Sequence, residues 1–272
     1  MITTLAFHSN SELLEGPVFD HGNKLLYFVS ILDGLVYCYN PETKEILSVK
    51  LDSPVGCIFI LEKKKVVAAS KNGFFQIDFS TMQKEFAFQI DLPDHVRYND
   101  GIQDSKGRLI VGTMGYPNVE ENVGQVFSCA DGQYKTIIEA TTISNGLAFS
   151  KDDTVLYFID TPTKKVAKYA YDINSGEVVF DSYVITFKGE GSPDGMCMDN
   201  DGMLWIAEWG GSQVSKWNPI NGLQLDKYKL PCPNVTSCCF DDHNNLYVTT
   251  AKSESSKDTF GGGLFYVELN KI

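Results

Sequence analysis

The sequence lacks the features that would place it in a membrane or on a nucleic acid. No apolar run approaches the roughly 18 residues of a membrane-spanning helix, and residues 1–8 have neither the basic nor the long apolar segment of a signal peptide. Lys and Arg number 23 against 35 Asp and Glu, giving a net charge of -12. Because such a surface repels phosphate backbones, we expect neither a nucleic-acid nor a membrane partner.

Several motifs of common enzymes are also missing. The four His residues show no paired spacing, which excludes a His-rich zinc site. The chain has no Gly-x-Ser-x-Gly nucleophile elbow and no Gly-x-Gly-x-x-Gly dinucleotide motif. The seven Cys are odd in number and lie mostly in apolar runs, so we interpret them as reduced, buried thiols. Together with the absent signal segment, they predict a cytoplasmic protein.

The sequence repeats itself six times. A short motif of a small or polar residue, a glycine and an apolar run recurs with its glycines at positions 16, 56, 101, 146 and 195, and Cys238 stands in the sixth copy. The copies are 40 to 49 residues apart. Each is followed by a polar turn and further short apolar runs, bounded by Gly, Pro, Asn and Asp, which are typical of strands.

Six units of four strands at this period predict an all-β fold, a six-bladed β-propeller formed by one domain over residues 1–272. Helical repeats would need apolar residues at i, i+3 and i+4, which these runs do not provide. The sixth unit ends after its third strand, near Val267, while residues 3–7 form a strand without a unit. We expect this N-terminal strand to close the last blade and remove an exposed edge. Segments 112–123 and 251–262 do not fit the repeat period, and we predict that they are long loops.

The residue before the glycine is polar in most copies. In chain order these residues are Glu15, Val55, Asp100, Asn145, Asp194 and Ser237. The first strand of each propeller blade lines the central channel, so Glu15, Asp100, Asn145 and Asp194 should converge near the axis. Carboxylate and amide oxygens of this kind suit a hard divalent cation. The alternative is that Asp-Gly and Asn-Gly pairs simply form turns at strand starts.

At these residues the sequence resembles the family of regucalcin (senescence marker protein), gluconolactonase and luciferin-regenerating enzyme. The matching pieces are Glu15-Gly16-Pro17, Arg97-Tyr98-Asn99-Asp100-Gly101, Gly112-Thr113-Met114, Ser144-Asn145-Gly146-Leu147, Tyr157-Phe158-Ile159-Asp160, Pro193-Asp194-Gly195-Met196 and Leu204-Trp205-Ile206-Ala207.

The resemblance implies one divalent cation held by Glu15, Asn145 and Asp194. It also implies that Arg97 and Asn99 face the substrate, and that Asp100 is a neighbour of the cation rather than a ligand. The family has acidic substrate contacts directly after its Gly-Thr-Met motif. Here Gly115, Tyr116 and Pro117 occupy those positions, so the substrate can differ from the family's.

The sequence thus predicts a divalent-metal-dependent hydrolase that opens a sugar lactone, with calcium, zinc, manganese or magnesium as its one cation. The nucleophile is either a water bound to the cation or a water activated by Asp194. Two alternatives stay open: a non-enzymatic calcium-binding propeller of the regucalcin type, and a lactonase-like enzyme for a xenobiotic or luciferin-derived substrate. The expected partner is a small-molecule lactone, and the oligomeric state is not predicted.

Overall fold

The computed structural model describes residues 2–254 and 258–269, and nearly all of its regular structure is β-strand. One 3-10 turn, Thr161–Thr163, interrupts the strands. The strands are β1 Ile2–His8, β2 Leu14–Asp20, β3 Leu25–Ser30, β4 Leu35–Tyr39, β5 Ile46–Lys50, β6 Val55–Glu62, β7 Lys65–Ser70, β8 Gly73–Asp78, β9 Gln83–Phe88, β10 Val96–Gln103, β11 Leu109–Gly115, β12 Gly124–Ala130, β13 Gln133–Thr141, β14 Ser144–Phe149, β15 Val155–Asp160, β16 Lys165–Asp172, β17 Glu177–Thr186, β18 Ser192–Met198, β19 Leu204–Trp209, β20 Gln213–Trp217, β21 Gln224–Lys229, β22 Asn234–Phe240, β23 Leu246–Ala251 and β24 Gly263–Glu268.

These strands form six antiparallel sheets of four strands each, so the predicted six-bladed β-propeller is confirmed. Blades 1 to 5 take their strands in chain order from β2–β5, β6–β9, β10–β13, β14–β17 and β18–β21. The inner strands β2, β6, β10, β14, β18 and β22 contact one another in succession, and β22 returns to β2, which closes the ring. None of the described helical segments is long and apolar enough to cross a membrane.

The N-terminal strand completes the sixth blade, as predicted. That blade has the order β22-β23-β24-β1, and the antiparallel register pairs Thr3 with Val267. Phe7 of β1 packs on Phe28 and Tyr37 of blade 1, with ring centroids 6.0 Å and 5.6 Å away. Chain ends that are far apart in sequence therefore meet in one sheet, and the edge of β24 is covered.

The hydrophobic core is divided among the interfaces between blades. Six apolar clusters each join two consecutive blades, including the pair formed by blades 6 and 1. A strand near the axis is therefore apolar on both faces, because both face a neighbouring blade. β3 is an example, since all six of its residues are buried. This double burial explains why the inner runs are continuously apolar rather than alternating.

All the repeated glycines except Gly16 mark a close approach between blades, and the turn interpretation of the motif is wrong. Each motif lies inside an inner strand and coincides with a β-bulge. A Cβ at Gly146 would lie 2.5 Å from the carbonyl oxygen of Asp194, and one at Gly195 would lie 2.2 Å from Oγ of Ser237. No side chain fits at these contacts, so the glycines let successive inner strands meet around the axis.

Candidate metal and substrate site

Five of the inner strands can be aligned with one another by the turn that follows each strand. Five turn residues use side-chain oxygens to accept backbone N–H groups in these turns, namely Asp20, Asp104, Ser150, Asp199 and Asp241. Five residues before each of them stand Glu15, Asn99, Asn145, Asp194 and Thr236. These side chains are all buried. The equivalent ring position is therefore occupied by Asn99 rather than Asp100, and by Thr236 rather than Ser237.

The β-bulges support the placement of Asn99, rather than Asp100, at this ring position. In β10, Tyr98 pairs with Thr113 and Gly101 with Val111, leaving Asn99 and Asp100 between them. In β18, Asp194 and Gly195 lie between the corresponding pairs. Asp100 thus takes the place of the glycine, one residue further along the channel.

The acidic residues converge near the axis, as predicted from their spacing. Burial raises the pKa of the Glu15 carboxyl well above its usual range, and the neighbouring Asp194 and Asp100 carboxyls raise it further. Burial and Asp100 raise the pKa of Asp194 in the same direction. Burial raises the pKa of Asp100 to about 6. Asp100 thus raises the pKa of both buried carboxyls, Glu15 and Asp194, and the three carboxylates create a strongly negative region once ionised, which favours a bound cation.

Two oxygens in this pocket have no hydrogen-bond partner. They are Oδ1 of Asn145 and Oδ1 of Asp194, and both are fully buried. The Asn145 amide donates from Nδ2 to Oγ1 of Thr161 at 3.1 Å, and Thr161 donates to the carbonyl oxygen of Pro193 at 2.9 Å. With its donor end fixed in this way, Asn145 presents its oxygen as the free atom. Unpaired buried oxygens are costly, and a hard cation would satisfy them.

The donor set of Glu15, Asn145 and Asp194 therefore fits a divalent cation. It consists of two carboxylates and one amide, which are oxygen donors suited to hard ions. Within residues 2–254 and 258–269, no three His, Cys, Asp or Glu side chains are grouped so that they could hold a metal ion. The fit depends on the amide oxygen of Asn145 as the third donor.

Arg97 is buried beside this pocket and does not pair with a surface acid. Its Nη1 donates to the carbonyl oxygen of Tyr98 at 2.9 Å and to Oδ1 of Asn99 at 2.7 Å. Its Nε has no partner. In the described part of the chain no carboxylate lies within ion-pair distance of Arg97. Burial lowers the pKa of Arg97 to about 10, against the opposing effect of Glu15, so the guanidinium stays charged at neutral pH.

Asn99 orients Arg97 and bridges two blades. Its Oδ1 accepts from Arg97, while its Nδ2 donates to the carbonyl oxygen of Ser144 at 2.9 Å. Both ends of the amide are engaged by protein groups. Asn99 thus fixes the guanidinium relative to β14, the strand that carries Asn145.

Tyr116 lies near Arg97 in the candidate site. Its phenol is close enough to Arg97 to interact with the guanidinium electrostatically, and its backbone N–H donates to the carbonyl oxygen of His95 at 2.8 Å. The long loop predicted from residue 112 begins later, because β11 continues to Gly115. In the second predicted loop, residues 255–257 lie outside the described residues.

A sizeable cavity lies at the other end of the channel. It measures about 410 Å³ and is lined by the second halves of the inner strands, with Asp100 reaching into it. Glu15, Asn145 and Asp194 do not line it. Its walls are mostly apolar and sulfur-bearing side chains, so its size alone does not make it the reactive site. We assign the candidate site to the polar end, where the unpaired oxygens and Arg97 are.

Sequence reasoning missed Thr161. It follows the Tyr157–Asp160 motif directly and connects Asn145 to the residue before Asp194. A threonine before Pro162 carries no signal of such a role, since only the folded ring brings β14, the 3-10 turn and β18 together.

Comparisons with known proteins identify the family of the chain. The family description "SMP-30/Gluconolactonase/LRE-like region" matches residues 13–252. The chain belongs to the SMP-30/gluconolactonase/LRE-like family. The chain is 33% identical over 264 residues to the "putative sugar lactone lactonase YvrE" of Bacillus subtilis, covering 94% of this chain and 90% of the relative.

Two further likenesses span most of the chain. Regucalcin of Xenopus laevis is 33% identical over 254 residues, which cover 90% of this chain and 85% of that protein. The solved structure of a luciferin-regenerating enzyme is 26% identical with a TM-score of 0.89, covering 98% of this chain and 94% of that one. The family recognised from the motifs is therefore confirmed. Membership of a family that includes gluconolactonases supports a lactonase-like function.

Proposed function

We propose that this SMP-30/gluconolactonase/LRE-like protein is a divalent-metal-dependent lactonase that opens a sugar lactone. The observation that carries the proposal is the pair of unpartnered buried oxygens, Oδ1 of Asn145 and Oδ1 of Asp194. They lie with the Glu15 carboxyl in one pocket, beside a buried guanidinium. Buried polar groups without partners cost stability, and such groups cluster at functional sites rather than in a core that serves packing alone.

In this proposal Glu15, Asn145 and Asp194 hold the cation. When bound, it would polarise the lactone carbonyl and favour the oxyanion that forms as water adds. The unpartnered Nε–H of Arg97 donates to a substrate oxygen, and Asn99 keeps the guanidinium in place. The Asp194 carboxylate accepts the proton of the attacking water. The ring C–O bond then breaks, and the leaving oxygen takes that proton from Asp194, which gives the open hydroxy acid and restores the carboxylate.

A luciferin-derived or xenobiotic substrate is the second candidate. It is favoured by Tyr116, which stands near Arg97 where the resembling family has an acid, and by the likeness to a luciferin-regenerating enzyme. A non-enzymatic calcium-binding propeller would use the same three oxygen donors without turnover. The cytoplasmic location stays a prediction from the sequence.

A lactone panel tests the proposal. Chelated protein is assayed against sugar lactones and simple aliphatic lactones, with no metal and then with calcium, zinc, manganese or magnesium. We expect hydrolysis that returns with at least one cation and disappears again with chelator. Cation binding without hydrolysis of any lactone would leave the binding propeller as the function. Hydrolysis that chelator does not affect would contradict the metal requirement.

Arg97→Ala should lower lactone hydrolysis by at least roughly tenfold, the scale of one lost charge-assisted contact. The reason is that Arg97 holds substrate and not the cation, so calorimetry should show cation binding retained. Arg108→Ala is the matched control, because Arg108 pairs with Asp104 at 2.7 Å in the turn after β10, at the end of that strand opposite to Arg97, and should not change KM. An Arg97→Ala protein as fast as the wild type would remove Arg97 from the substrate site.

Cation binding should weaken as the pH falls, and it should release protons. Glu15, Asp194 and Asp100 have raised pKa values in the cation-free fold, so this fold holds protons more tightly than the unfolded chain. Their contribution to stability is therefore present below about pH 4 and lost as the pH rises through the folded pKa, about 6 for Asp100. A cation needs the ionised carboxylates and reverses this loss. We expect the rise in Tm on adding cation to be larger at pH 8 than at pH 5; equal shifts at both would contradict the assignment.

A further inference from the structure

The end of the channel opposite the candidate site is rich in sulfur. Its cavity is lined by Cys57, Cys197, Cys238 and Cys239, and by the thioethers of Met196 and Met198. The proposed lactonase chemistry uses none of these groups. Two of the thiols come from inner strands of neighbouring blades, Cys197 from β18 in blade 5 and Cys238 from β22 in blade 6.

The sulfur atoms of Cys197 and Cys238 are 3.6 Å apart. No other two cysteine sulfurs in the described part of the chain are in hydrogen-bonding contact. The Cys238 thiol donates to the carbonyl oxygen of Trp205 at 3.5 Å, which leaves its sulfur free to accept from Cys197. β18 and β22 also pack tightly here, since a Cβ at Gly195 would lie 2.2 Å from Oγ and 2.9 Å from Cα of Ser237. The thiols need to approach by only about 1.5 Å to reach the length of a disulfide bond.

We propose that Cys197 and Cys238 are a thiol pair that forms a disulfide between blades 5 and 6 when a small oxidant enters the channel. Cys239 is excluded as the partner by the alternation of β22. Its side chain packs against blade 1 in the cluster that contains Phe19, while Cys238 packs against blade 5 in the cluster that contains Trp205.

The oxidant is a small aliphatic disulfide, for which the cavity of about 410 Å³ has room. The Cys197 thiolate attacks one sulfur of the reagent, and the other sulfur leaves as a thiolate. The Cys238 thiolate then attacks the Cys197 sulfur of the mixed disulfide and expels the second thiolate. Two protein thiols are oxidised, one small disulfide is reduced to two thiols, and the two protons pass to the leaving thiolates.

The environment of Cys197 makes the reaction slow at neutral pH. Burial, followed by the Cys238 and Cys239 thiols and the Asp199 carboxylate, raises the pKa of the Cys197 thiol well above its usual range. Since only the thiolate attacks, bridging should accelerate as the pH rises.

The experiment treats the whole protein with 2-hydroxyethyl disulfide at pH 8.5, quenches with acid and counts free thiols in denaturant. We expect two of the seven thiols to be lost, with peptide mass mapping joining the peptide of Cys197 to that of Cys238. Cys197→Ser and Cys238→Ser should each remove the cross-link, while Cys239→Ser, the matched control in the same strand, should keep it. The bridged protein should melt higher by about 5 °C.

Seven free thiols after treatment, or a cross-link that includes Cys239 or Cys57, would overturn the proposal. The mapping of wild-type protein decides this even where a serine variant fails to fold. The proposal does not depend on lactonase activity, because neither the thiol count nor the peptide map involves turnover.

Discussion

Calorimetry on chelated protein should give one strong divalent-cation site in the wild type and none in Asp194→Ala. Asp194 contributes one of the two carboxylates in the donor set, and its Oδ1 is a buried oxygen without a partner. Its loss should lower the affinity by well over 100-fold, beyond the 10–100-fold cost of changing a group outside the ligand set. Lactone hydrolysis should disappear with the cation.

Asp100→Ala is the matched control for this variant. Asp100 is close enough to raise the pKa values of Glu15 and Asp194, but it stands one residue further along the channel and lines the cavity at the other end. We expect its loss to weaken cation binding by no more than about 10–100-fold. If Asp194→Ala still bound the cation and Asp100→Ala did not, Asp100 rather than Asp194 would be the ligand. Thermal unfolding of both variants would show that a lost site is not a lost fold.

The ring could be predicted from the sequence because its strands are short and its turns are marked by polar residues. The glycine period gave the number of blades, and the unpaired run near the N-terminus had no place except the open sixth blade. The structural role of the repeated glycines could not be predicted. Gly146 and Gly195 look like turn residues in sequence, whereas the reason for them is the next blade: an added Cβ would lie 2.5 Å from the Asp194 carbonyl oxygen at Gly146 and 2.2 Å from Oγ of Ser237 at Gly195.

The site was predicted less completely, and the errors have a physical reason. Aligning the residues before each glycine ignored the bulges, which shift the register by one residue and place Asn99, not Asp100, at the position of β10 that is equivalent to Asp194 in β18. The turn residues Asp104 and Asp199 carry the better signal, since they cap the strand ends at a fixed distance from the site. Thr161 could not be found at all, because its partners Asn145 and Pro193 are 16 and 32 residues away.

Deleting residues 1–8 should make the protein aggregate or melt at a much lower temperature. The deletion removes β1, which pairs with β24 from Ile2 to His8, and exposes the edge of a blade that is otherwise covered. It also removes Phe7 from its contacts with Phe28 and Tyr37. Loss of this side chain alone should cost about 1–3 kcal/mol, less than for a fully buried Phe, and the whole strand more. We expect Tm to fall by roughly 10 °C or more.

Point variants separate packing from edge protection. Phe7→Ala should lower Tm by several degrees and leave the protein monodisperse, because β24 stays paired. Ile2→Ala is the control, since Ile2 is an exposed residue of the same strand, and it should unfold like the wild type. Light scattering then detects association through the exposed edge, because only the deletion leaves the N–H and C=O groups of β24 free to pair with another chain. A deleted protein that remains soluble with an unchanged Tm would mean that the ring is stable with three strands in its sixth blade.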